Sequence, residues 1–451
     1  MSPHDLALLG GRVLLADWSI DQLNVGVRDG TIITLAREPI DAERVLDVSG
    51  LMVVPGLVDE HFHAFRGYGW ETHEVATRAA AKGGITSVVD MPLDKPATLT
   101  TALLDAKLEG ISDECYVDYA MFGGYLDEQP DEIGALARAG VVALKLFTGG
   151  VAPPGMFPGA DTGAILDCMR RAAAEGLTVV VHCENAEIVD HETARLRASG
   201  RTDPGAWDEA RPWFSELEAV QRVALMAEVT GCRVVIAHVT APQSVEFVQA
   251  ARARGVDVWI ETCPHYLCIT IDEMARDTRL KWNPPSRDRA SVERLWELVA
   301  GGAVHTIGSD HAPLAKIPGA DIWEQLPGAG NGLETMLPIV ATEALRRGIP
   351  LPRVIEMMSA TPARLFGLSP RKGAIALGAD ADFAVLETSR SRTLDAGELE
   401  YYEQEKWSPY DGREVSVYPV HTILRGKVIV ENGVVTGDAG YGRQLTRVVD
   451  A

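Results

Sequence analysis

The sequence lacks any apolar stretch long enough to cross a bilayer. No run of about 20 apolar residues occurs among its 451 residues. It begins MSPHDLALLGGRVLLADWSI, which has no basic segment followed by a long apolar one. We therefore expect no membrane span and no targeting segment, and we predict a cytoplasmic location.

Positive charge is also scarce. Lysine and arginine number 42 against 64 aspartates and glutamates, a formal net charge of −22. A protein that binds nucleic acid or anionic lipid needs a basic face, so neither partner is expected. The acidic balance does not exclude a metal pocket, because a pocket can be locally positive inside an acidic protein.

Cysteine is sparse and shows no CxxC spacing. The six cysteines are scattered through apolar text, which favours buried free thiols in a reducing compartment over disulfides or zinc ligation. A GxGxxG fingerprint after a strand is absent as well, which weighs against a doubly wound nucleotide-binding sheet.

Short alternating strands with DG and SG turns fill the two ends of the chain, as in LNVGVRDGTIITL and VHTILRGKVIVENGVVT. We predict a small β-sandwich domain formed from both termini, residues 1–51 plus 372–451. Between them, residues 52–371 alternate eight apolar strand runs with amphipathic helical text. This pattern predicts an α/β fold, a (β/α)8 TIM barrel, with a doubly wound sheet as the alternative.

Reactive groups in such a barrel lie at the carboxyl ends of the strands. The first strand run ends in His61 and His63, two residues apart and so on the same face. Later runs carry one chemically distinctive residue each: Lys145, His182, His238 and Asp310. A single inward histidine is more often structural than a ligand, but the joint pattern predicts a metal site. Imidazole and carboxylate ligands suit Zn2+, with Mn2+, Fe2+, Co2+ or Ni2+ as alternatives.

Lys145 lies inside an apolar run, where a buried ammonium is costly. Either an ion pair with a nearby carboxylate neutralises it, or the neutral amine has reacted with carbon dioxide. The second reaction gives N6-carboxylysine, an anion able to bridge two metal ions. His61, His63 and Asp310 would then hold one ion, and His182 and His238 the other.

The motifs PGLVDEHFH, ALKLF, VVVHCEN, VIAHV and IGSDHAP resemble the amidohydrolase superfamily of the binuclear, carboxylated-lysine type. The similarity is greatest to cyclic amidases: hydantoinase, allantoinase, dihydropyrimidinase and dihydroorotase. ETCPHYLCIT is similar to allantoinase, whereas APPGMF, GNGLETMLP and WSPYDG are more similar to L-hydantoinase. The resemblance implies two divalent metal ions, a small cyclic amide substrate opened to a carbamoyl or ureido acid, and a homotetramer or homodimer. Asp310 would act as catalytic base and then acid.

Substrate contacts are expected from Asn283, Arg66 and Asn331. Asn283 in KWNPPSRD would hydrogen-bond a ring imide or cap a loop. Arg66 follows His63 at the dihydroorotase spacing, where an arginine holds a substrate carboxylate, although Gly67–Trp70 breaks the usual context. Gly150 replaces the tyrosine of dihydropyrimidinases, which weakens that alternative.

Other activities remain open from the sequence. A dihydroorotase- or dihydropyrimidinase-like enzyme, or a linear N-acyl amide hydrolase, is compatible with the same centre. The superfamily's deaminases lack the lysine, and its non-enzymatic scaffolds have lost metal ligands, so both are disfavoured. The Gly- and Pro-rich segment 314–333 either lines or covers the pocket or is a solvated connection.

Overall fold

The computed structural model describes residues 3–125, 129–149, 159–330, 332–400 and 407–448. Its strands, in chain order, are β1 (Leu6–Leu14), β2 (Ile20–Arg28), β3 (Thr31–Ala36), β4 (Arg44–Asp47), β5 (Met52–Pro55), β6 (Leu57–Phe62), β7 (Ile85–Asp90), β8 (Asp118–Gly124), β9 (Ala143–Phe147), β10 (Thr178–His182), β11 (Val234–Ile236), β12 (Val258–Thr262), β13 (Thr306–Ile307), β14 (Phe383–Glu387), β15 (Arg392–Thr393), β16 (Glu414–Val415), β17 (Tyr418–Leu424), β18 (Lys427–Glu431) and β19 (Val434–Val435).

The α-helices are α1 (His73–Lys82), α2 (Thr101–Ile111), α3 (Glu132–Arg138), α4 (Thr162–Ala174), α5 (Ala186–Ala198), α6 (Gly205–Ala210), α7 (Trp213–Thr230), α8 (Pro242–Ala253), α9 (Pro264–Cys268), α10 (Ile271–Met274), α11 (Arg289–Ala300), α12 (Gly332–Arg346), α13 (Leu351–Met357) and α14 (Ala360–Leu365). Several begin at side chains that accept a backbone N–H of the first turn, such as Thr72 before α1 and Asp288 before α11. Such caps satisfy donors that the helix itself leaves unpaired.

Strands β6 to β13 form one parallel eight-stranded sheet in sequence order. Their residues are buried almost throughout, as expected for strands covered by helices on one side and by the barrel interior on the other. The sheet nearly closes, because Phe62 at the end of β6 bridges in parallel to His311 after β13. The predicted barrel is confirmed.

The chain ends together form a second, mixed sheet of nine strands. N-terminal and C-terminal parts join where β5 pairs antiparallel with β14 and parallel with β1. Their inner face encloses a separate apolar core that includes Leu8, Val25 and Phe383. The β-domain from both termini is therefore also confirmed. The exact division at residues 51 and 372 stays a prediction, and β5 lies in the terminal sheet.

A buried ionic cluster joins the two parts. The Lys372 ammonium lies 2.7 Å from a carboxylate oxygen of Asp118 on β8 and 2.6 Å from one of Asp382, just before β14. Arg425, after β17, also pairs with Asp118. Opposite charges buried this closely compensate each other's loss of solvation, which fixes the terminal sheet against the barrel.

Within the described ranges, no helix combines the length and apolar character needed to span a membrane. All six cysteines are free thiols, and only Cys268 is not fully buried.

Candidate metal centre

The six residues predicted from the strand ends converge on one pocket at the carboxyl end of the barrel. None is more than 8% exposed. They are His61, His63, Lys145, His182, His238 and Asp310. Since successive strands of the barrel supply them in order, the closed sheet itself brings together side chains that are distant in sequence.

One half of the pocket is formed by His61, His63 and Asp310. Nε2 of His61 lies 3.3 Å and Nε2 of His63 lies 3.5 Å from the same carboxylate oxygen of Asp310. These three residues offer ligand atoms that all lie within 4.8 Å of one another. Burial alone would raise the pKa of Asp310, but the adjacent imidazoles hold it well below its ordinary value. The carboxylate is therefore an anion at neutral pH.

The other half is formed by His182 and His238. Nδ1 of His182 lies 2.9 Å from Nε2 of His238, with the rings nearly perpendicular. Burial lowers the pKa of both imidazoles, although at His182 the hydrogen bond to Glu184 opposes this effect. Neutral imidazoles that point lone pairs toward a common volume are suitable ligands for a divalent cation.

Lys145 lies on β9 and lines the same pocket as these histidines. Its Nζ is buried and has no hydrogen-bond partner among the described residues, and the ring of Phe147 is centred 5.2 Å away. Burial lowers its pKa, an effect that Glu261 and Asp310 oppose. A buried amine without partners is costly unless it is neutral or modified.

The residues present fit a divalent metal centre. Nε2 of His61, Nδ1 of His238 and Nζ of Lys145 are buried atoms without a hydrogen-bond partner in the described part of the chain. Buried polar groups are normally satisfied, so a cluster of unsatisfied donors and acceptors points to a missing ligand. Nitrogen and carboxylate donors in this number match a zinc-type site.

Two of these residues have strained backbones. His238 has φ 40° and Asp310 has φ 46°, both in the left-handed region that non-glycine residues rarely adopt. Such strain of about 1–3 kcal/mol per residue persists where the surrounding structure imposes it, and it concentrates at functional sites.

Two carboxylates that were not predicted from the sequence, Glu261 and Glu184, hydrogen-bond to the histidine ligands. Both oxygens of Glu261, on β12, lie 3.0 Å from Nδ1 of His61, and one accepts the backbone N–H of His238 at 3.1 Å. Glu184 accepts from Nε2 of His182 at 2.8 Å and pairs with Arg211. Glu184 could have been predicted as a partner of His182, because it follows His182, the last residue of β10, by two residues.

A second ligand set shares Asp310. Cys263, directly after β12, and His265, in α9, are buried and offer ligand atoms within 4.8 Å of one another and of Asp310. The sequence alone predicts the cysteines only as buried thiols, so this grouping was not predicted.

Apolar side chains form the outer wall of the pocket. They are Phe65, Leu93, Phe147, Trp282, Leu314 and Pro327. Asn283 also lines it, next to Trp282. Few polar groups on a mostly apolar wall are typical of a small-molecule site, where the polar groups set orientation.

The other two predicted substrate contacts differ in their placement. Arg66 lines a different cavity, beside Lys107, and its guanidinium donates to Glu114 at 3.1 Å. Asn331 lies outside the described residues, as does Gly150.

Comparison with known proteins agrees with this geometry. The model of the amidohydrolase family matches residues 52–429. An L-hydantoinase of Paenarthrobacter aurescens is 35% identical over 459 aligned positions covering 98% of each chain. An allantoinase of Escherichia coli O139:H28 is 36% identical and covers 95% of each chain. The solved structure of an L-hydantoinase (dihydropyrimidinase) from Arthrobacter aurescens has a TM-score of 0.92 at 33% identity, covering 98% of this chain and 100% of that one. The chain belongs to the amidohydrolase family.

Proposed function

We propose that this protein hydrolyses a cyclic amide at a centre of two divalent metal ions, opening the ring to a carbamoyl or ureido acid. The observation that carries the proposal is the convergence of four histidines, one lysine and one aspartate on a single buried pocket. The relatives named hydantoinase and allantoinase support the reaction class.

His61, His63 and Asp310 would hold one ion, and His182 and His238 the other. Lys145 would lie between them as N6-carboxylysine. In that modification the neutral amine attacks carbon dioxide, forming an N–C bond and releasing one proton. The burial that lowers the pKa of Lys145 favours the neutral amine that this reaction requires. We propose Zn2+, with Mn2+, Co2+, Fe2+ and Ni2+ as alternatives.

The ions, when bound, would supply Lewis-acid chemistry, activating water near neutral pH and polarising the amide carbonyl. Asp310 would accept a proton from the attacking water while the water oxygen bonds to the carbonyl carbon. When the C–N bond breaks, the same carboxyl group would deliver that proton to the departing ring nitrogen. Because its pKa lies below the ordinary value, Asp310 is ionised at neutral pH, which is the form that can accept a proton.

The supporting carboxylates would keep the reacting geometry fixed. Glu261 holds the His61 ring through Nδ1, which directs Nε2 toward Asp310. Glu184 holds His182 through Nε2, which directs Nδ1 toward His238. Ligands held in this way need little reorganisation during the reaction.

The pocket wall favours a hydantoin that carries an apolar group on its ring. Phe65, Leu93 and Leu314 offer apolar surface and no partner for a polar substituent. Allantoin, whose ring carries a polar ureido group, would lose hydrogen bonds to water against this wall. It is the second candidate, favoured by the allantoinase relative. Dihydroorotate is disfavoured, since Arg66 is paired with Glu114 in another cavity.

We further propose a homo-oligomer, a tetramer or a dimer, in the cytoplasm, with no nucleic-acid or membrane partner. The oligomer rests on the family resemblance, and light scattering of the purified protein tests it. The location rests on the six free cysteines, which suit a reducing compartment.

The decisive experiment assays the Zn2+-, Mn2+- and Co2+-loaded protein with a panel of rings. These are hydantoin, both enantiomers of 5-benzylhydantoin, allantoin, dihydrouracil and dihydroorotate. We expect ring opening of 5-benzylhydantoin with the highest kcat/KM. Faster hydrolysis of allantoin would favour the second candidate, and no hydrolysis of any ring by the metal-loaded protein would contradict the proposal. A non-enzymatic scaffold would also fail to bind two metal ions per chain.

A further inference from the structure

The segment between Asp310 and α12 forms one side of the pocket mouth. We call residues 312–330 the pocket loop. It contributes Leu314, Pro327 and Gly328 to the pocket lining. Trp282 and Asn283, on the second side, which lies next to this loop, line the same pocket. The positions of these lining side chains determine how large a ring substituent the pocket admits.

Lys281, directly before Trp282, connects the two sides. Its Nζ donates to the backbone carbonyls of Ile322 and Gln325, each at 2.6 Å. Its own carbonyl accepts the backbone N–H of Gly328 at 3.0 Å. Lys281 is only 3% exposed, so water does not compete for these bonds.

Lys316 makes the reciprocal connection from within the loop. Its Nζ donates to the carbonyl of Lys281 at 2.8 Å and to that of Leu326 at 2.9 Å. The Gln325 amide also closes the loop on itself, donating to the Ile317 carbonyl at 2.8 Å and accepting the N–H of Ile317 at 3.0 Å. The two lysines thus satisfy four carbonyls, three of which belong to the pocket loop.

Two tryptophans extend this contact to the rest of the barrel. The ring of Trp207 is centred 3.8 Å from Nζ of Lys281, and the indole N–H of Trp207 donates to the carbonyl of Trp282 at 3.0 Å. Trp323 of the pocket loop packs edge-on against Trp207 and donates to the Arg201 carbonyl at 2.6 Å. The loop is therefore held at several points around Lys281.

Lys281 can donate these two hydrogen bonds in either protonation state. Burial, with Arg211 and Arg197 nearby, lowers the pKa of Lys281 to about 7. A neutral amine keeps two N–H bonds, which match the two carbonyls that Lys281 contacts. Both hydrogen bonds go to backbone carbonyls, so Lys281 holds the pocket loop without an acidic side chain as partner.

We propose that Lys281 and Lys316 are positioning residues that fix the pocket loop against the Trp282–Asn283 segment and so set selectivity for the substituent of the substrate ring. The inference rests on the proposed function, since it concerns the substrate of the same pocket. Neither lysine lines the pocket, so both act through Trp282, Pro327 and Gly328.

The test compares 5-benzylhydantoin with unsubstituted hydantoin in Lys281→Met and Lys316→Met. Methionine keeps the length of the side chain but donates no hydrogen bond. We expect kcat/KM for 5-benzylhydantoin, divided by kcat/KM for hydantoin, to fall roughly tenfold. The change should come mainly from a higher KM for the benzyl compound, because Trp282, Pro327 and Gly328 lose their fixed positions. An unchanged ratio in folded variants overturns the inference, and so does a failure of both variants to fold.

Lys82→Met is the matched control. Nζ of Lys82 donates to the backbone carbonyl of Glu398 at 2.9 Å and pairs with Glu334, and it is not part of the pocket lining. We expect it to keep the wild-type substrate ratio. If the wild-type protein hydrolyses neither hydantoin, the proposed function fails; if it hydrolyses both and the ratio is insensitive to the lysines, only this inference fails.

Discussion

Both carboxylate oxygens of Glu261 lie 3.0 Å from Nδ1 of His61. The opposite ring nitrogen, Nε2, faces Asp310 at 3.3 Å. A neutral imidazole has one N–H, so a ring that donates from Nδ1 to this carboxylate presents the lone pair of Nε2 to the pocket. Glu261 also accepts the backbone N–H of His238, so one carboxylate organises residues from both halves of the centre.

Removing this carboxylate should weaken metal binding. We expect Glu261→Ala to reduce metal affinity by roughly 10–100-fold, as loss of a group that orients a ligand typically does. Competition with a chelator measures the affinity. Glu261→Gln is the matched control, since its amide oxygen can still accept from Nδ1, and it should retain more of the affinity than the alanine variant. Equal affinity in the wild type and Glu261→Ala would contradict the role.

Asp310→Asn tests the proton transfer. The amide cannot accept the proton of water and return it to a leaving nitrogen, so kcat should fall by about two to four orders of magnitude. The variant should still bind metal through the four histidines, which elemental analysis checks. Asp257→Asn, at a surface carboxylate paired with Arg233, should keep wild-type activity. Full activity in Asp310→Asn would exclude the acid–base role.

Lys145→Ala tests the bridging carboxylate. We expect the purified variant to have lost metal, and expect added propionate to restore both metal and activity in part, because a short carboxylate can replace the missing anion. Lys82→Ala should bind metal normally without propionate. The carboxylation would be refuted if Lys145→Ala held two ions at wild-type affinity with no carboxylate added.

We expect the titration of His305 to cause part of the fall in the free energy of unfolding at low pH. Burial, with Arg252, Arg353 and Arg364 nearby, lowers its pKa to about 3, and its Nδ1 accepts the backbone N–H of Ile260 at 2.9 Å.

The ordinary pKa of histidine is about 6.5, so below that pH the unfolded chain binds a proton that the folded chain does not. The stabilising contribution is complete above pH 6.5 and is lost as the pH falls toward 3. Between pH 8 and pH 5 the loss should be about 2 kcal/mol. His305→Asn, which can accept the same N–H without titrating, should show a correspondingly smaller loss in urea unfolding. The same loss in both proteins would contradict the assignment.

Much of the centre could be predicted because its signals are local. His61 and His63 share one strand end, and Lys145, His182 and His238 each directly follow an apolar run of three or four residues. Asp310 ends the strand run VHTIGSD. Parallel strands place their carboxyl ends together, so sequence order alone predicts that these residues meet. The same regular pattern predicts the barrel.

The groups that support the centre were harder to predict, since their partners are distant in sequence. Glu261 contacts a histidine 200 residues earlier, and Lys281 contacts carbonyls 41 and 44 residues later. Lys281 is an ordinary lysine in KWNPP, with no periodicity that indicates burial. Arg66 shows the converse: its spacing suggested a substrate contact, whereas the folded chain gives it Glu114 as a partner.

The central claim is that two divalent ions held by these six residues open a cyclic amide. Its most direct test is to titrate metal-stripped protein with Zn2+ in the presence of bicarbonate and to follow both bound metal and 5-benzylhydantoin hydrolysis. We predict no hydrolysis without metal and a rise in rate that ends at two ions per chain. Full activity of the stripped protein, or none on any ring of the panel at two bound ions, would contradict the account.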